Sequence, residues 1–287
     1  MQQILLFSLL LATHNFNTQE IPAPTDEPLK PIAFSAIPQR PDNAITGSQF
    51  AEKTSHMTGR KRQRAALYEL RKGNVPSFLR TFHPVELTCP SNSTTAVIWV
   101  SPDYLAIGSD SDFLRIPLSH PVAVTITSDF GCILPTRKMV DSIYRQSVFH
   151  YRPQPMKPGP MMRSSSYFLR HQRMIENQGA GRPLGELVSG HKKDVVLTNR
   201  LWKRPNRVAI YGWHKPDGEP IQTLSTLHGA HYADYSHGIR MVHQTVLING
   251  EYRSVFDVLD DPALAPVLTY EGVINDTRAL MALNTRK

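Results

Sequence analysis

Two proline-rich stretches limit where this chain can form regular secondary structure. Six prolines lie between residues 21 and 43, and four more lie with Gly159 between residues 150 and 163. Proline lacks a backbone donor and restricts the residue before it, so dense proline runs disfavour helices and interior strands. We therefore expect a Pro-rich linker over 20–45, a folded region from residue 46, and a long loop or lid over 150–163.

The N-terminal end has features of a secretory signal segment. Residues 4–12 read ILLFSLLLA, an apolar run too short to span a bilayer, and polar residues follow directly. We assign 1–19 to this signal and expect a secreted, periplasmic or cell-envelope protein; the alternative is a buried or frayed N-terminal segment. No later apolar run reaches the roughly 18 residues of a membrane helix, so no integral membrane contact is expected.

Helical and strand patterns alternate along residues 46–287. Helical spacing and capping residues predict helices over 50–72, after Thr136 and over 166–178, and favour a helix over the alternative of a strand at 121–130. Alternating apolar residues predict strands, the first four as an antiparallel meander, at 85–87, 96–100, 104–107, 113–116, 194–197, 207–211, 238–242 and 245–248. Because no internal repeat or sharp break divides this region, the sequence predicts one α+β domain with antiparallel sheet.

The charge balance indicates an anionic partner. The chain has 32 Lys and Arg against 24 Asp and Glu, a formal net charge of +8, and basic residues crowd positions 60–64 of the first predicted helix. A basic exported protein is attracted to an anionic cell-wall polymer or glycan. The alternative is a solvated helix face. No RNA- or DNA-binding motif is present and aromatics do not interleave with the charges, so no specific nucleic-acid partner is expected.

Cysteine is sparse, with Cys89 and Cys132 alone. This number excludes a disulfide-dense scaffold and a multi-cysteine zinc site. Two interpretations stay open for the pair: a disulfide between them, or a free Cys132 that acts as a nucleophile.

The segment from His228 to His243 is the strongest candidate for a site. It holds four of the twelve histidines within sixteen residues. Imidazole is the commonest metal ligand and the side chain best matched to proton transfer near neutral pH. One interpretation is a zinc site, for which the candidate ligands are His228, His231, Asp234 and His237.

The other interpretation is a metal-free catalytic site, with no cofactor. It places His237 at a strand entry as general base, with Asp234 or His214 orienting its ring. Cys132, Ser236 or water would then attack the substrate. The candidates for stabilising an oxyanion or contacting substrate are Arg240, Lys192, Lys193, Tyr235 and His231.

Two motifs carry a resemblance to a known family. Gly131-Cys132 precedes an apolar-faced helix, and Ser236-His237-Gly-Ile lies far downstream in a predicted strand. This order resembles the papain-like cell-wall peptidases of the NlpC/P60 class, in which a cysteine at a helix start pairs with a histidine on a strand. The resemblance implies export, a basic surface and hydrolysis of peptidoglycan peptides. The chain departs from the family directly after Cys132, where Ile-Leu-Pro replaces Ser-Gly.

The leading hypothesis is therefore an exported hydrolase of a cell-envelope polymer, acting on a peptidoglycan amide bond through a histidine-centred site. One alternative is a non-catalytic exported module that binds a glycan or protein. A second is a metal-dependent hydrolase that uses the histidine cluster.

Overall fold

The computed structural model describes residues 29–283, so the predicted signal segment lies outside the described residues. The helices are α1 (Gly47–Lys53), α2 (Gly59–Arg71), α3 (His120–Asp129), α4 (Arg137–Gln146), α5 (Ser165–Gln178), α6 (Arg200–Lys203), α7 (Val255–Asp260), α8 (Ala265–Leu268) and α9 (Thr277–Ala282). Single 3-10 turns occupy Ser77–Arg80 and Pro160–Arg163.

The strands are mostly short. They are β1 (Ile32–Ala33), β2 (Thr81–Cys89), β3 (Thr94–Val100), β4 (Ala106–Ser109), β5 (Asp112–Arg115), β6 (Cys132–Ile133), β7 (Phe149–His150), β8 (Val188–Ser189), β9 (Lys193–Val195), β10 (Ile210–His214), β11 (Pro220–Ser225), β12 (His237–Gly238), β13 (Val242–Ile248) and β14 (Glu251–Ser254).

Two sheets organise the α+β fold. A six-stranded antiparallel sheet has the order β1-β2-β3-β13-β14, with β6 also paired to β13. A four-stranded sheet has the order β11-β10-β9-β12, in which β12 runs parallel to β9. The predicted α+β class with mainly antiparallel sheet is confirmed. Within residues 29–283 no helix is long and apolar enough to span a membrane.

The four strands predicted between residues 85 and 116 form two hairpins and not one meander. β2 pairs with β3 in the large sheet, whereas β4 and β5 pair only with each other. The chain leaves the sheet after β3 because Ser101 donates its hydroxyl to the Asp103 carbonyl at 2.8 Å and turns the backbone.

The helix predicted over 50–72 is divided in two. The buried Thr54 hydroxyl donates to the Phe50 carbonyl at 2.9 Å and contacts Ser165 Oγ at 3.1 Å. Thr58 then caps α2 by accepting from the Lys61 amide at 3.5 Å. Competing side-chain hydrogen bonds of this kind favour a helix end over a continuous helix. Gly73, at φ +77°, supplies the predicted stop.

The segment predicted as a linker is packed where it is described. β1 pairs with β2, and Phe34 and Ile37 are buried in the core. The linker prediction is therefore wrong for residues 32–37, because burying these apolar side chains stabilises the segment despite the neighbouring prolines. Residues 20–28 lie outside the described residues.

The remaining elements follow the sequence pattern closely. The predicted helices are present as α3, α4 and α5, and Thr136 caps α4 by accepting from the Met139 amide at 3.3 Å. Of the strand predicted over 238–242, only Gly238 in β12 and Val242 in β13 are in strands. Between them the Ile239 and Met241 carbonyls accept from the Leu105 and Ser101 amides.

Candidate functional site

The first part of the histidine-rich segment, residues 228–236, belongs to the loop between β11 and β12, and His237 is the first residue of β12. As predicted, His237 lies at a strand entry, and its backbone pairs with Lys193 of β9. The side chain is only 1% exposed. Tyr232 and His228, both from the loop, lie against it with ring centroids at 5.7 and 6.4 Å.

Both ring nitrogens of His237 are buried without a hydrogen-bond partner among residues 29–283. Burial lowers the pKa of this imidazole to about 4, although the Asp234 carboxylate acts in the opposite direction. The ring is therefore neutral at neutral pH, with one nitrogen able to accept a proton.

Asp234 does not hydrogen-bond the His237 ring, contrary to the predicted orienting role. One of its carboxylate oxygens accepts from the Ser236 amide at 2.9 Å and the Ser236 hydroxyl at 2.6 Å. The other accepts from the Tyr232 hydroxyl at 2.9 Å. Burial alone would raise the pKa of Asp234, but His237 and these donors outweigh burial and lower it. The carboxylate therefore closes the loop while remaining ionised.

An aromatic wall lies beside β9. Tyr235 packs against His171 of α5 and Trp213 of β10, with ring centroids at 4.9 and 6.3 Å. Lys193 Nζ lies 5.1 Å from the Trp213 ring centroid. His171 Nδ1 and Trp213 Nε1 are also buried without a partner in the described chain. We call His171, Lys192, Lys193, Trp213, Tyr235 and His237 the inner cluster.

The backbone of Trp213 is strained. Its φ is +56°, a conformation that bulky residues adopt only when their surroundings enforce it. The register of β10 against β11 shifts between Ile210 and Gly212, so a bulge precedes the tryptophan. Bulges re-aim side chains beside functional sites, and this one turns Trp213 toward Tyr235.

The two predicted lysines differ in their surroundings. Lys192 is fully buried and donates from Nζ to the Tyr235 carbonyl at 2.6 Å. Burial lowers the pKa of this ammonium to about 7. Lys193 is only half-buried, and burial lowers its pKa as well. Lys193 is therefore the lysine better placed to meet a ligand.

Two predicted contact residues have structural roles. Arg240 is buried, donates to the Ser101 and Val188 carbonyls at 2.9 and 2.7 Å, and stacks over Tyr104 at 4.4 Å. The Tyr235 hydroxyl accepts from the Met156 amide at 2.7 Å and ties the proline-rich loop to the inner cluster.

His214 does not orient His237 either. Its Nε2 pairs with Asp141 at 3.0 Å, and its ring stacks on Tyr144 with centroids 4.6 Å apart. Asp141 also accepts from the Tyr211 hydroxyl at 2.9 Å. This hydrogen-bonded group connects β10 to α4, so His214 serves the packing of that helix.

Cys132 lies in β6 of the six-stranded sheet, where its backbone pairs with His243. His237 lies in the four-stranded sheet. The structure therefore places the two predicted catalytic residues in different sheets, and α4 begins only at Arg137. Cys89 and Cys132 are both free cysteines, so the disulfide alternative is wrong.

The predicted zinc ligands are not brought together. His231 is exposed on the outer side of the loop, beside Arg163, whereas His237 is buried. Residues 29–283 contain no group of three or more His, Cys, Asp or Glu side chains that could hold a metal ion.

Several buried polar residues were not predicted. Arg115 donates to the Asp103 carboxylate at 3.0, 3.1 and 2.6 Å, and His191 Nε2 pairs with the same group at 2.9 Å. For His171 a signal existed, because it lies three residues after Phe168 and four before Ile175 on the buried face of α5. A polar residue in an apolar stripe is a candidate buried functional group.

Comparison of the chain with protein-family models, with curated proteins and with solved structures finds no match. The similarity to the papain-like cell-wall peptidases therefore stays a prediction from two motifs.

Proposed function

We propose that this chain is an exported hydrolase of a cell-envelope polymer, cleaving a peptidoglycan amide bond with His237 as general base. The main support is that the inner cluster holds four buried polar atoms without a hydrogen-bond partner among residues 29–283. They are both His237 ring nitrogens, His171 Nδ1 and Trp213 Nε1. Buried polar groups are normally hydrogen-bonded, and exceptions call for a ligand, a water or a catalytic role. Strained backbone and perturbed pKa values, both present here, favour a functional site.

Water is the attacking group that fits this cluster. The Ser236 hydroxyl is already donated to Asp234, and Cys132 lies in the other sheet. In the proposed step, the water oxygen forms a bond to the amide carbon and its proton passes to neutral His237. The imidazolium then returns a proton to the leaving nitrogen as the carbon–nitrogen bond breaks.

Lys193 completes the proposed chemistry. Its ammonium lies beside Trp213, and its backbone pairs with that of His237. A cation in a partly desolvated site stabilises the oxyanion that develops on the attacked carbonyl. Because His237 is 1% exposed, substrate access requires Tyr232 and His228 to move with their loop.

The test is release of soluble fragments and new amino groups from purified peptidoglycan. We expect His237→Gln to lower turnover by about 100-fold or more, the usual contribution of a general base. His243→Gln is the matched control, because His243 is also a buried histidine but lies in β13. Cys132→Ala should retain turnover if water attacks. The acid limb of kcat/KM should lie near pH 4, the pKa of His237.

Three results would contradict the proposal. Full turnover by His237→Gln would show that His237 is not the general base. Loss of turnover in Cys132→Ala would favour attack by the Cys132 thiol over attack by water. Absence of turnover by the wild-type protein on every peptidoglycan tested would favour the non-catalytic binding module. That second candidate is supported by the open basic groove described next.

A further inference from the structure

A groove of about 680 Å³ lies on the outer side of the histidine-rich loop, where His231 forms part of its wall. We call it the arginine groove. Arg60 and Arg64 of α2 and Arg163 of the 3-10 turn supply its charges. The remaining lining residues come from α2 and the start of α3: Gln63, Ser119, Pro121, Val122 and Thr125.

The groove continues past Arg163 into two smaller depressions, which add Arg62 and Ser164 to its lining. Among the described residues, no aspartate or glutamate lines any of the three. Arg60, Arg64 and Arg163 are exposed, and among residues 29–283 none of them forms an ion pair. These neighbouring cations therefore repel one another without a protein carboxylate to neutralise them.

The walls of the groove are fixed by the fold. Arg62 is buried and joins α2 to the start of α5, donating to the Arg163 carbonyl and to Ser165 Oγ at 3.2 Å. The Arg163 guanidinium lies over the Tyr232 ring at 5.4 Å. Arg60 and Arg64 are four residues apart, so they lie on one helix face with a rise of about 6 Å between them. The cations are therefore pre-positioned on separate elements before any ligand binds.

We propose that the arginine groove binds a phosphodiester polymer of the polyol-phosphate kind. Guanidinium forks match phosphate oxygens, and the tetrahedral arrangement of a phosphodiester lets its oxygens face cations on different walls of the groove. Nucleic acid carries the same charge, but single-strand binding relies on aromatic stacking. Among the described residues, no phenylalanine, tyrosine or tryptophan lines the 680 Å³ groove, and Phe168, which borders a neighbouring depression, is buried. The imidazole of His231 is the one aromatic ring among the described lining residues of the groove.

Phosphate binding in the arginine groove does not depend on hydrolysis at the inner cluster. His237 does not line the groove, and the two features share only the loop between them. The groove would hold the protein on a phosphate-bearing envelope polymer whether or not the inner cluster turns over a substrate.

The test is equilibrium binding of labelled poly(glycerol phosphate) to the full chain at several salt concentrations. We expect Arg60→Gln/Arg64→Gln to weaken binding by about tenfold or more and to reduce the slope of log affinity against log salt by roughly two. The matched control is Lys61→Gln/Lys72→Gln, which removes the same charge from α2 and its C-cap but does not touch the groove. Melting curves of both variants verify folding.

Other probes separate the alternative ligands. Polyglutamate and a single-stranded oligonucleotide of matched charge should bind more weakly than poly(glycerol phosphate), and neutral dextran should not bind. An equal loss of affinity in both double variants would show diffuse attraction by net charge and would overturn the proposed binding site in the groove. Tighter binding of the oligonucleotide, or no binding at low salt, would also overturn it.

Phosphate binding in the arginine groove and hydrolysis at the inner cluster can be disproved independently. His237→Gln should bind poly(glycerol phosphate) with unchanged affinity, whatever its turnover. Arg163→Gln should weaken this binding on its own, because Arg163 is shared by the groove and both depressions. Unchanged binding by Arg163→Gln would contradict the proposed site.

Discussion

The inner cluster and the arginine groove lie on two sides of one loop, and burial gives their basic groups opposite properties. In the inner cluster burial lowers the pKa of His237 to about 4 and that of Lys192 to about 7. In the groove, Arg60 and Arg64 are exposed. Neutral buried bases are suited to proton transfer, whereas exposed cations attract anions over a distance.

The two regions should also differ in how much a substitution changes the free energy of unfolding. Polar groups on the buried side depend on one another, since removal of one leaves another desolvated and unpaired. In the groove, Arg60 and Arg64 are exposed and form no ion pair among residues 29–283, so their removal leaves no buried charge unpaired. Substitutions should therefore change unfolding on the inner side and binding on the outer side.

The largest effect on stability is expected at the buried ion pair between Arg115 and Asp103. Asp103→Ala leaves the Arg115 guanidinium, 4% exposed, without its carboxylate. We expect the free energy of unfolding, measured by urea denaturation, to fall by about 3–5 kcal/mol. The control is Asp217→Ala at an exposed turn, which should stay near wild type. A loss below about 1 kcal/mol at Asp103 would indicate that water reaches this pair.

The next largest effect is expected in how the free energy of unfolding depends on pH. His237 has a pKa near 4 in the folded chain and an ordinary value of 6.5 when unfolded. Between these values the unfolded state binds more protons, so the free energy of unfolding falls as pH is lowered from about 6.5 toward 4. His237→Gln should remove roughly 3 kcal/mol of that fall. Parallel pH curves for wild type and variant would contradict a neutral, buried His237.

A smaller loss is expected from added volume at the inner cluster. A Cβ at Gly238 would lie 2.5 Å from Tyr104 Cδ1 and 2.8 Å from Lys192 Cβ. Gly238→Ala should therefore lower the free energy of unfolding by about 1–3 kcal/mol. Gly229→Ala, in the loop before β12, is the control because its Cβ would meet only the Asn206 carbonyl at 3.9 Å. Similar melting temperatures for the two variants would argue against tight packing at Gly238.

The smallest effect on stability is expected in the groove. Arg60→Gln/Arg64→Gln should change the free energy of unfolding by no more than about 0.5 kcal/mol, as is usual for exposed positions. The same variant should lose affinity for poly(glycerol phosphate). A large loss of stability would mean that these arginines support the fold, and the contrast between the two regions would disappear.

Local patterns predicted much of the framework. The capping threonine before α4 and the apolar stripe of α5 both form as expected. The placement of His237 at a strand entry also followed from alternation in its neighbourhood. These features depend on residues within a few positions of one another, so one sequence suffices to predict them.

The partners of the predicted site residues could not be read in this way. Asp234 and His214 were expected to orient His237, but they bond to Tyr232 and to Asp141. Arg240 was expected to contact substrate, but it donates to buried backbone carbonyls. The basic run at 60–64 was visible in the sequence. Its alignment with Arg163 and His231, about 100 and 170 residues away, was not.

By itself, the sequence determined the class of fold, the capped helices, the basic character and the position of His237 at a strand entry. The tertiary structure decided that the His237 ring is buried without a hydrogen-bond partner among residues 29–283, that Cys132 belongs to another sheet, and that three arginines share one groove. The physical reason is range. Propensity and periodicity act between near neighbours in the chain, whereas burial, pKa and pairing depend on which distant segments pack together.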